Sequence, residues 1–292
     1  MRVGVIDVGA NTVRLLVLEQ TPRGSRVINE QKARLSLGAD VEANGSLSSE
    51  SIKLTAECVR AYARIARKRG ASSLDVLITS PGRQARNGQE LTSALSRASR
   101  TNTRILSGEM EGELAYYAAV SAAGPFEGRT LVCDVGGGST QLVVGQGDDL
   151  LWQLSIDIGS LRLTRRFGLS EAAKSSNVAA AVAEVQRLLE PVRVPAVTQA
   201  YATGGAAKAL GRICNGELTG STLEQTISNI AAISPSELSS VYPVGCWRAE
   251  RLLAGALILS ELQRRAGVPL KVVSGGIREG AAMTMFERLA AA

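Results

Sequence analysis

The chain contains no histidine. That absence removes imidazole acid–base catalysis, Ser-His-Asp triads, phosphohistidine chemistry and histidine metal ligands together. A general base must then be a carboxylate or a less usual group. Aromatic residues make up 3% of the chain, too few for stacking platforms along single-stranded nucleic acid, so no nucleic-acid partner is expected. Lysine is scarce, with only Lys32, Lys53, Lys68, Lys174, Lys208 and Lys271. The net charge of +6 is therefore mostly arginine, a side chain suited to bidentate phosphate contacts. This favours a polyanionic partner, although arginines on solvated faces give the same composition. Cys58, Cys133, Cys214 and Cys246 form no CxxC pair, which argues against a zinc or disulfide framework and fits a reducing compartment. No apolar run reaches the length of a membrane span, and the first strand begins at the N-terminus without a leader-like segment. A cytoplasmic protein with no membrane partner is expected.

What the chain does have is a repeat. Val5-Ile-Asp-Val-Gly-Ala-Asn-Thr12 returns as Val132-Cys-Asp-Val-Gly-Gly-Gly-Ser-Thr140. In each copy an apolar run ends in an aspartate, turns on glycine, passes hydroxyl residues and leaves as a second apolar run. The pattern predicts a β-hairpin whose turn offers backbone N–H groups, hydroxyls and one carboxylate. Glycine lets the backbone approach a ligand closely, and successive N–H groups form an anion site. The carboxylates of Asp7 and Asp134 cannot bind phosphate directly, so their natural partner is a cation. Two such turns facing each other would clamp a metal-bound phosphate chain. A turn aspartate bonded to its own backbone is the plain alternative at either position alone, and the recurrence argues against it.

At 292 residues the chain can build two domains, each with its own core. Strands are predicted over 2–8, 13–18 and 26–35, then a helix over 48–69, a strand over 74–79, a helix over 89–99, a strand over 103–106 and a helix over 109–121. The second half repeats the plan, with strands over 130–135, 141–145 and 150–156, a helix over 178–189, a strand over 199–202 and a short helix over 206–213. Shorter helices follow within 215–236, then a helix over 249–266, a strand over 270–273 and a closing helix over 278–291. The fold class is α/β: two similar halves, each a mixed sheet flanked by helices. The turn-rich Ala123-Gly-Pro-Phe-Glu-Gly128 marks the boundary, giving domains over 1–123 and 124–277 with the active site in the cleft between them.

The motifs Asp7-Val-Gly-Ala-Asn-Thr12, Thr79-Ser-Pro-Gly-Arg-Gln-Ala-Arg-Asn87, Ser107-Gly-Glu-Met-Glu-Gly112, Asp134-Val-Gly-Gly-Gly-Ser-Thr140 and Ser274-Gly-Gly-Ile-Arg-Glu-Gly280 come in one order and span nearly the whole chain. In these the chain resembles the exopolyphosphatase / guanosine pentaphosphate phosphohydrolase family of the actin-like (ribonuclease H-like) ATPase superfamily. The resemblance implies two actin-like domains, with the closing helix 278–292 packed back on the first. Longer family members continue into a further helical region, whereas these 292 residues are expected to form only the two actin-like domains. Family dimers form through that region, so a homodimer is only a secondary expectation here.

The resemblance also assigns roles. Asn11 and Thr12 would hold phosphate in the first turn, with Gly137, Gly138, Ser139 and Thr140 opposite. Arg83 matches the phosphate-contacting arginine. Asp134, with Asp7, would hold Mg2+, or Mn2+ in its place. Glu111 matches the glutamate that activates water. From the residues alone Glu109, Glu111 and Glu113 are simply acids in a helix first turn, and Arg83 could be a solvated arginine. Gly204-Gly205 could cradle a phosphate or make a tight strand–helix connection. Arg162, Arg165 and Arg166 could line a polyanion track or form a solvated helix face. Two positions depart from the family pattern. Met110 stands where an acid is usual, and Gln141 where a glutamate follows the second turn, which implies altered metal dependence. The implied function is exopolyphosphatase: metal-assisted water attack on the terminal phosphate of inorganic polyphosphate. The alternatives are hydrolysis of guanosine pentaphosphate and a non-catalytic polyphosphate or nucleotide sensor. ATP-dependent sugar phosphorylation, on the same fold, is disfavoured by the motifs after residue 79.

Overall fold

The computed structural model describes residues 1–22, 24–124 and 126–291. Pro125 of the expected linker, and Ala292 of the closing helix, lie outside the described residues. The chain divides into two compact units, Met1–Leu114 with Ile277–Ala292, and Ala115–Gly276.

The first unit opens with β1 (Arg2–Val8), β2 (Thr12–Thr21) and β3 (Gly24–Arg34), an antiparallel meander. It continues through α1 (Leu37–Asn44), α2 (Ser49–Lys68), β4 (Ser73–Ile78), α3 (Ser80–Gln84), α4 (Gly88–Ser99), β5 (Asn102–Ile105) and α5 (Gly108–Ala123). The sheet order is β3-β2-β1-β4-β5, with β4 and β5 parallel to β1. The division between units falls inside α5, nine residues before the boundary after Ala123 read from sequence. Side-chain alternation on β1 sends Ile6 and Val8 to one face, under Val59, Tyr62 and Ala63 of α2 and Leu91 and Leu95 of α4. Val3 and Val5 go to the other face, against Ala281, Ala282, Met285 and Phe286 of the closing helix. Helix α2 starts where Ser48 Oγ accepts the Ser51 N–H at 3.1 Å and buries one stripe, Thr55, Val59, Tyr62, Ala63 and Ala66.

The second unit repeats the plan with β6 (Thr130–Val135), β7 (Thr140–Gln146) and β8 (Asp149–Ile156), then α6 (Ser160–Phe167), α7 (Ser175–Leu189), β9 (Gln199–Thr203), α8 (Gly204–Ile213), β10 (Glu217–Leu218), α9 (Gly220–Ala231), α10 (Pro235–Val241), α11 (Cys246–Ala249), α12 (Leu252–Ala266) and β11 (Leu270–Val272). The closing helix α13 (Ile277–Ala290) returns to the first unit. The sheet order β10-β11-β9-β6-β7-β8 places β9 and β11 where β4 and β5 stand in the first sheet. Leu131, Cys133 and Val135 face the helices α6 to α12, and Val132 faces Tyr116 and Ala119 of α5.

Two differences from the sequence reading have physical causes. The single helix expected over 249–266 is broken, because Arg251 leaves helical geometry with φ −118° and ψ 4°. Helix α1 was not expected because its eight residues carry little apolar periodicity; it grows from a loop bonded to the first turn, as shown below. Among the described residues no helix is long and apolar enough to cross a membrane. All four cysteines are free thiols.

Candidate functional site: two like turns and a buried glutamate

The two repeats fold to the same local geometry. Gly9 N–H donates to the Thr12 carbonyl at 3.0 Å, and Gly136 N–H donates to the Ser139 carbonyl at 3.0 Å. Each turn is held from behind by its carbonyls. In the first, Ala10 C=O accepts from Gly38 N–H at 2.7 Å and Asn11 C=O accepts from Leu35 and Ser36. In the second, Gly136 C=O accepts from Ser160 N–H at 2.9 Å, and Gly137 C=O from Leu161 and Arg162. In a planar trans peptide the N–H points opposite the C=O. Anchoring these carbonyls therefore aims the N–H groups of Asn11 and Thr12, and of Gly137 and Gly138, away from the supporting loops. The first turns of α1 and α6 thus brace the turns, and the N-terminal N–H groups of α6 are consumed in doing so. Gly159 permits this: a Cβ there would lie 2.4 Å from the Gly137 carbonyl.

Among the expected phosphate ligands, Asn11 is half-buried and Thr12 and Ser139 are buried. Thr140 is fully buried and its hydroxyl donates to the Ile158 carbonyl at 2.6 Å, a bond that secures the loop into α6. Thr79 closes the first turn, its N–H donating to the Val8 carbonyl at 3.1 Å. In the second unit Gly204, with φ +91°, lies against the second aspartate. A Cβ there would sit 2.8 Å from Asp134 Oδ1 and 2.6 Å from the Val135 carbonyl, so only glycine fits this strand–helix junction. The Arg248 guanidinium packs over Gly205 in the same way.

Each aspartate is the penultimate residue of its strand and has a fixed cross-strand neighbour. Asp7 pairs in register with Arg14, and Asp134 with Gln141. Asp7 as a residue is half-buried, but its Oδ1 is buried with no hydrogen-bond partner, as is Asn11 Oδ1. Burial pushes the Asp7 carboxyl above its ordinary range, opposed by the positive charges of Arg14 and Arg278. Burial, and then Arg278, lower the Arg14 guanidinium. Arg278 itself is anchored by Glu30 at 3.0 Å and Glu279 at 3.5 Å. Gln141 was singled out from sequence as a departure from the family pattern, whereas Arg14 was not. The signal available was the constant spacing of seven from each aspartate to the residue facing it.

The three acids opening α5 part company in the fold. Glu109 and Glu113 are exposed, and hydrogen bonds from its own backbone N–H and from Ser107 hold the Glu109 carboxyl low. Glu111 is only 2% exposed. Its Oε2 accepts from Arg83 Nη2 at 2.7 Å, while Arg83 Nη1 donates to the Leu106 carbonyl at 2.8 Å. Burial and this partner separate Glu111 from its neighbours, which sequence pattern alone did not. The rest of that arginine's motif is structural. Arg86 donates to the Asn44 carbonyl at 2.7 Å, and Asn87 bonds both the N–H and C=O of Leu47. Arg162 sits beside the second turn, donating to the Asp157 carbonyl at 2.9 Å, and Arg166 pairs with Glu184 at 2.7 Å.

A model of the Ppx/GppA phosphatase family matches residues 16–289. The chain belongs to the Ppx/GppA phosphatase family. It is 28% identical to exopolyphosphatase 1 of Mycobacterium tuberculosis, covering 96% of this chain and 87% of that protein. It is 29% identical to the guanosine-5'-triphosphate,3'-diphosphate pyrophosphatase of Aeromonas hydrophila, over 94% of this chain and 57% of that longer protein. The solved Ppx/GppA family member of Aquifex aeolicus superposes with a TM-score of 0.86 at 25% identity, covering 99% of this chain and 98% of that one. The duplicated mixed sheets are those of the actin-like architecture. By family, then, this Ppx/GppA protein is a hydrolase of phosphoric anhydride bonds.

Proposed function

We propose that this Ppx/GppA protein is a metal-dependent exopolyphosphatase that removes the terminal phosphate of inorganic polyphosphate by direct attack of water. The observation that carries the reading is the pair of like turns, each with anchored carbonyls, outward N–H groups and one strand-end aspartate. Asn11, Thr12, Gly137, Gly138 and Ser139 bind phosphoryl oxygens, Thr140 fixes the second turn, and Arg83 takes the phosphate to be cleaved. Glu111 is the base. No covalent intermediate is required, since positioning, charge neutralisation and one proton abstraction suffice.

The unpartnered oxygens of Asp7 and Asn11 fit a hydrated divalent cation, which usually takes one or two carboxylates and completes its shell with water and substrate phosphate. Asp7 and Asp134 would hold Mg2+, or Mn2+. Once bound, the ion neutralises charge on the phosphate chain. Polyphosphate is preferred because the chain matches an exopolyphosphatase over 87% of that relative's length. The second reading, a guanosine pentaphosphate substrate, is favoured by one feature. A cavity of about 350 Å³ beside α8, lined by Lys208, Arg212, Val272, Val273 and Ser274, has the mixed cationic and apolar lining a nucleoside phosphate needs. The reducing interior of the cell suits both substrates and the four free thiols.

The deciding experiment measures phosphate release from long-chain polyphosphate and from guanosine pentaphosphate, with Mg2+, for wild type and Glu111→Gln. Release from polyphosphate by wild type alone supports the first reading. Release from the guanosine substrate only supports the second. Binding of polyphosphate without release from either substrate would support the sensor.

A further inference from the structure

Helix α8 starts at Gly204, which lies against Asp134. Farther along it opens the cavity of about 350 Å³, with Lys208 and Arg212 on one side and Val272, Val273 and Ser274 on the other. Two glycines shape this space. A Cβ at Gly211 would lie 3.0–3.1 Å from the Val272 side chain, so glycine lets the helix close on β11. Gly216, with φ +88°, donates its N–H to the Gly211 carbonyl at 2.7 Å and accepts the Val272 N–H at 2.8 Å. No atom lies within 4 Å of where its Cβ would stand. The rim is thus tied by backbone bonds and the space it encloses is left open. Lys208 and Arg212 are spaced i, i+4 and so share one helix face. Lys208 Nζ donates to the Ser274 carbonyl at 2.6 Å, and Arg212 Nη1 to the Pro243 carbonyl at 3.5 Å. Among the described residues no acid lines the cavity. Cations on one wall and valines on the other suit a ligand that joins an anionic group to an apolar ring.

We propose that this cavity is a nucleoside phosphate site in its own right, with the phosphate held by Lys208 and Arg212 and the base laid on Val272 and Val273. A helix rise of 1.5 Å per residue puts these two cations about 6 and 12 Å along α8 from Gly204. A phosphate held by them lies outside the second turn, so the ligand is not a chain positioned for hydrolysis. The site goes beyond both substrate readings and depends on neither.

The test is calorimetric binding of guanosine and adenosine 5'-monophosphate in EDTA, since a monophosphate has no anhydride bond to hydrolyse. At least one nucleotide is expected to bind wild type. The matching nucleoside and inorganic phosphate should each bind at least about tenfold more weakly, because each lacks one half of the contacts. Lys208→Met and Arg212→Met keep the apolar stems and remove the charges. Each is expected to weaken the nucleotide at least about tenfold, the scale of one hydrogen bond between charged groups. Gly159→Ala, which displaces the second turn, should bind the nucleotide as wild type does. Hydrogen exchange should show protection on binding within residues 208–216 and 270–274. Four results would overturn the inference: no binding of either nucleotide, inorganic phosphate binding as tightly, unchanged affinity in both methionine variants, or protection confined to other segments. A loss in Gly159→Ala as large as in the methionine variants would also overturn it, by placing the phosphate in the turn. A wild type that shows these contrasts but releases no phosphate from polyphosphate with Mg2+ supports the inference, and refutes the hydrolytic reading alone.

Discussion

Arg83 reaches Glu111 and the Leu106 carbonyl with two different nitrogens, at 2.7 and 2.8 Å, so one guanidinium fixes a nearly inaccessible carboxylate to the backbone beside it. On the proposed reading, a phosphate arriving at Arg83 would compete for the same donors and free Glu111 for proton abstraction. Glu111→Gln is therefore expected to lower kcat by roughly 10²- to 10⁴-fold with little change in KM. Arg83→Lys keeps the charge but not the fork, and is expected to lower kcat and raise KM together. Steady-state kinetics on polyphosphate separates the cases. If Arg83→Lys raises KM alone, Arg83 binds substrate without positioning Glu111.

Four residues further on, the same motif changes purpose. Asn87 copies a strand partner for Leu47, accepting its N–H at 2.9 Å and donating to its C=O at 3.0 Å. Asn87→Ala is expected to cost about 1–3 kcal/mol of stability, since two backbone groups lose their partner. The kcat/KM of the remaining folded protein should be unchanged. Urea unfolding together with active-fraction kinetics checks both halves of that expectation.

Gly159 predicts the opposite balance. Its backbone is extended, with φ −148°, so alanine is allowed by conformation and excluded only by the turn it backs. The new Cβ would lie 2.4–2.5 Å from Gly137 and Gly138 backbone atoms. Gly159→Ala should push the second turn out of place and raise KM for polyphosphate at least about tenfold, for a stability cost of about 1–3 kcal/mol. An unchanged KM would mean that the turn does not hold the substrate.

The sequence made the duplicated hairpins readable because aspartate, glycine and hydroxyl residues recur at fixed spacing between apolar runs, and those runs are the central strands. Residue type and spacing did not distinguish Glu111 from Glu109 and Glu113, since all three suit a helix first turn. The motif resemblance singled out Glu111, and the fold gives the physical difference by burying it beside Arg83. The arrangement behind the turns was hidden for a related reason. Ser36, Gly38 and Leu161 act through backbone N–H groups, which every residue but proline possesses, so no side-chain pattern announces them. Arg14 was harder still, because its significance depends on cross-strand register, whereas Gln141 stood out as a departure from the family pattern. Register follows from the whole hairpin and not from any local motif.

Asp7 gives a test of the cation site that does not depend on turnover. Burial raises its carboxyl, and Arg14 and Arg278 only partly oppose that effect, so the ionised form is a burden on the folded state. For an acid whose folded pKa is raised, its favourable contribution is fully present below the unfolded pKa. It is lost as pH rises through the folded pKa. In EDTA, Asp7→Asn should therefore melt at a higher temperature than wild type at pH 8. The difference should shrink as the pH falls and the wild-type carboxyl takes up its proton. Adding Mg2+ at pH 8 should raise the Tm of wild type and leave Asp7→Asn unmoved, because a cation offsets the buried charge and the amide offers none. If the variant is instead the less stable protein at pH 8 without metal, the two arginines already satisfy Asp7, and the cation must be held elsewhere.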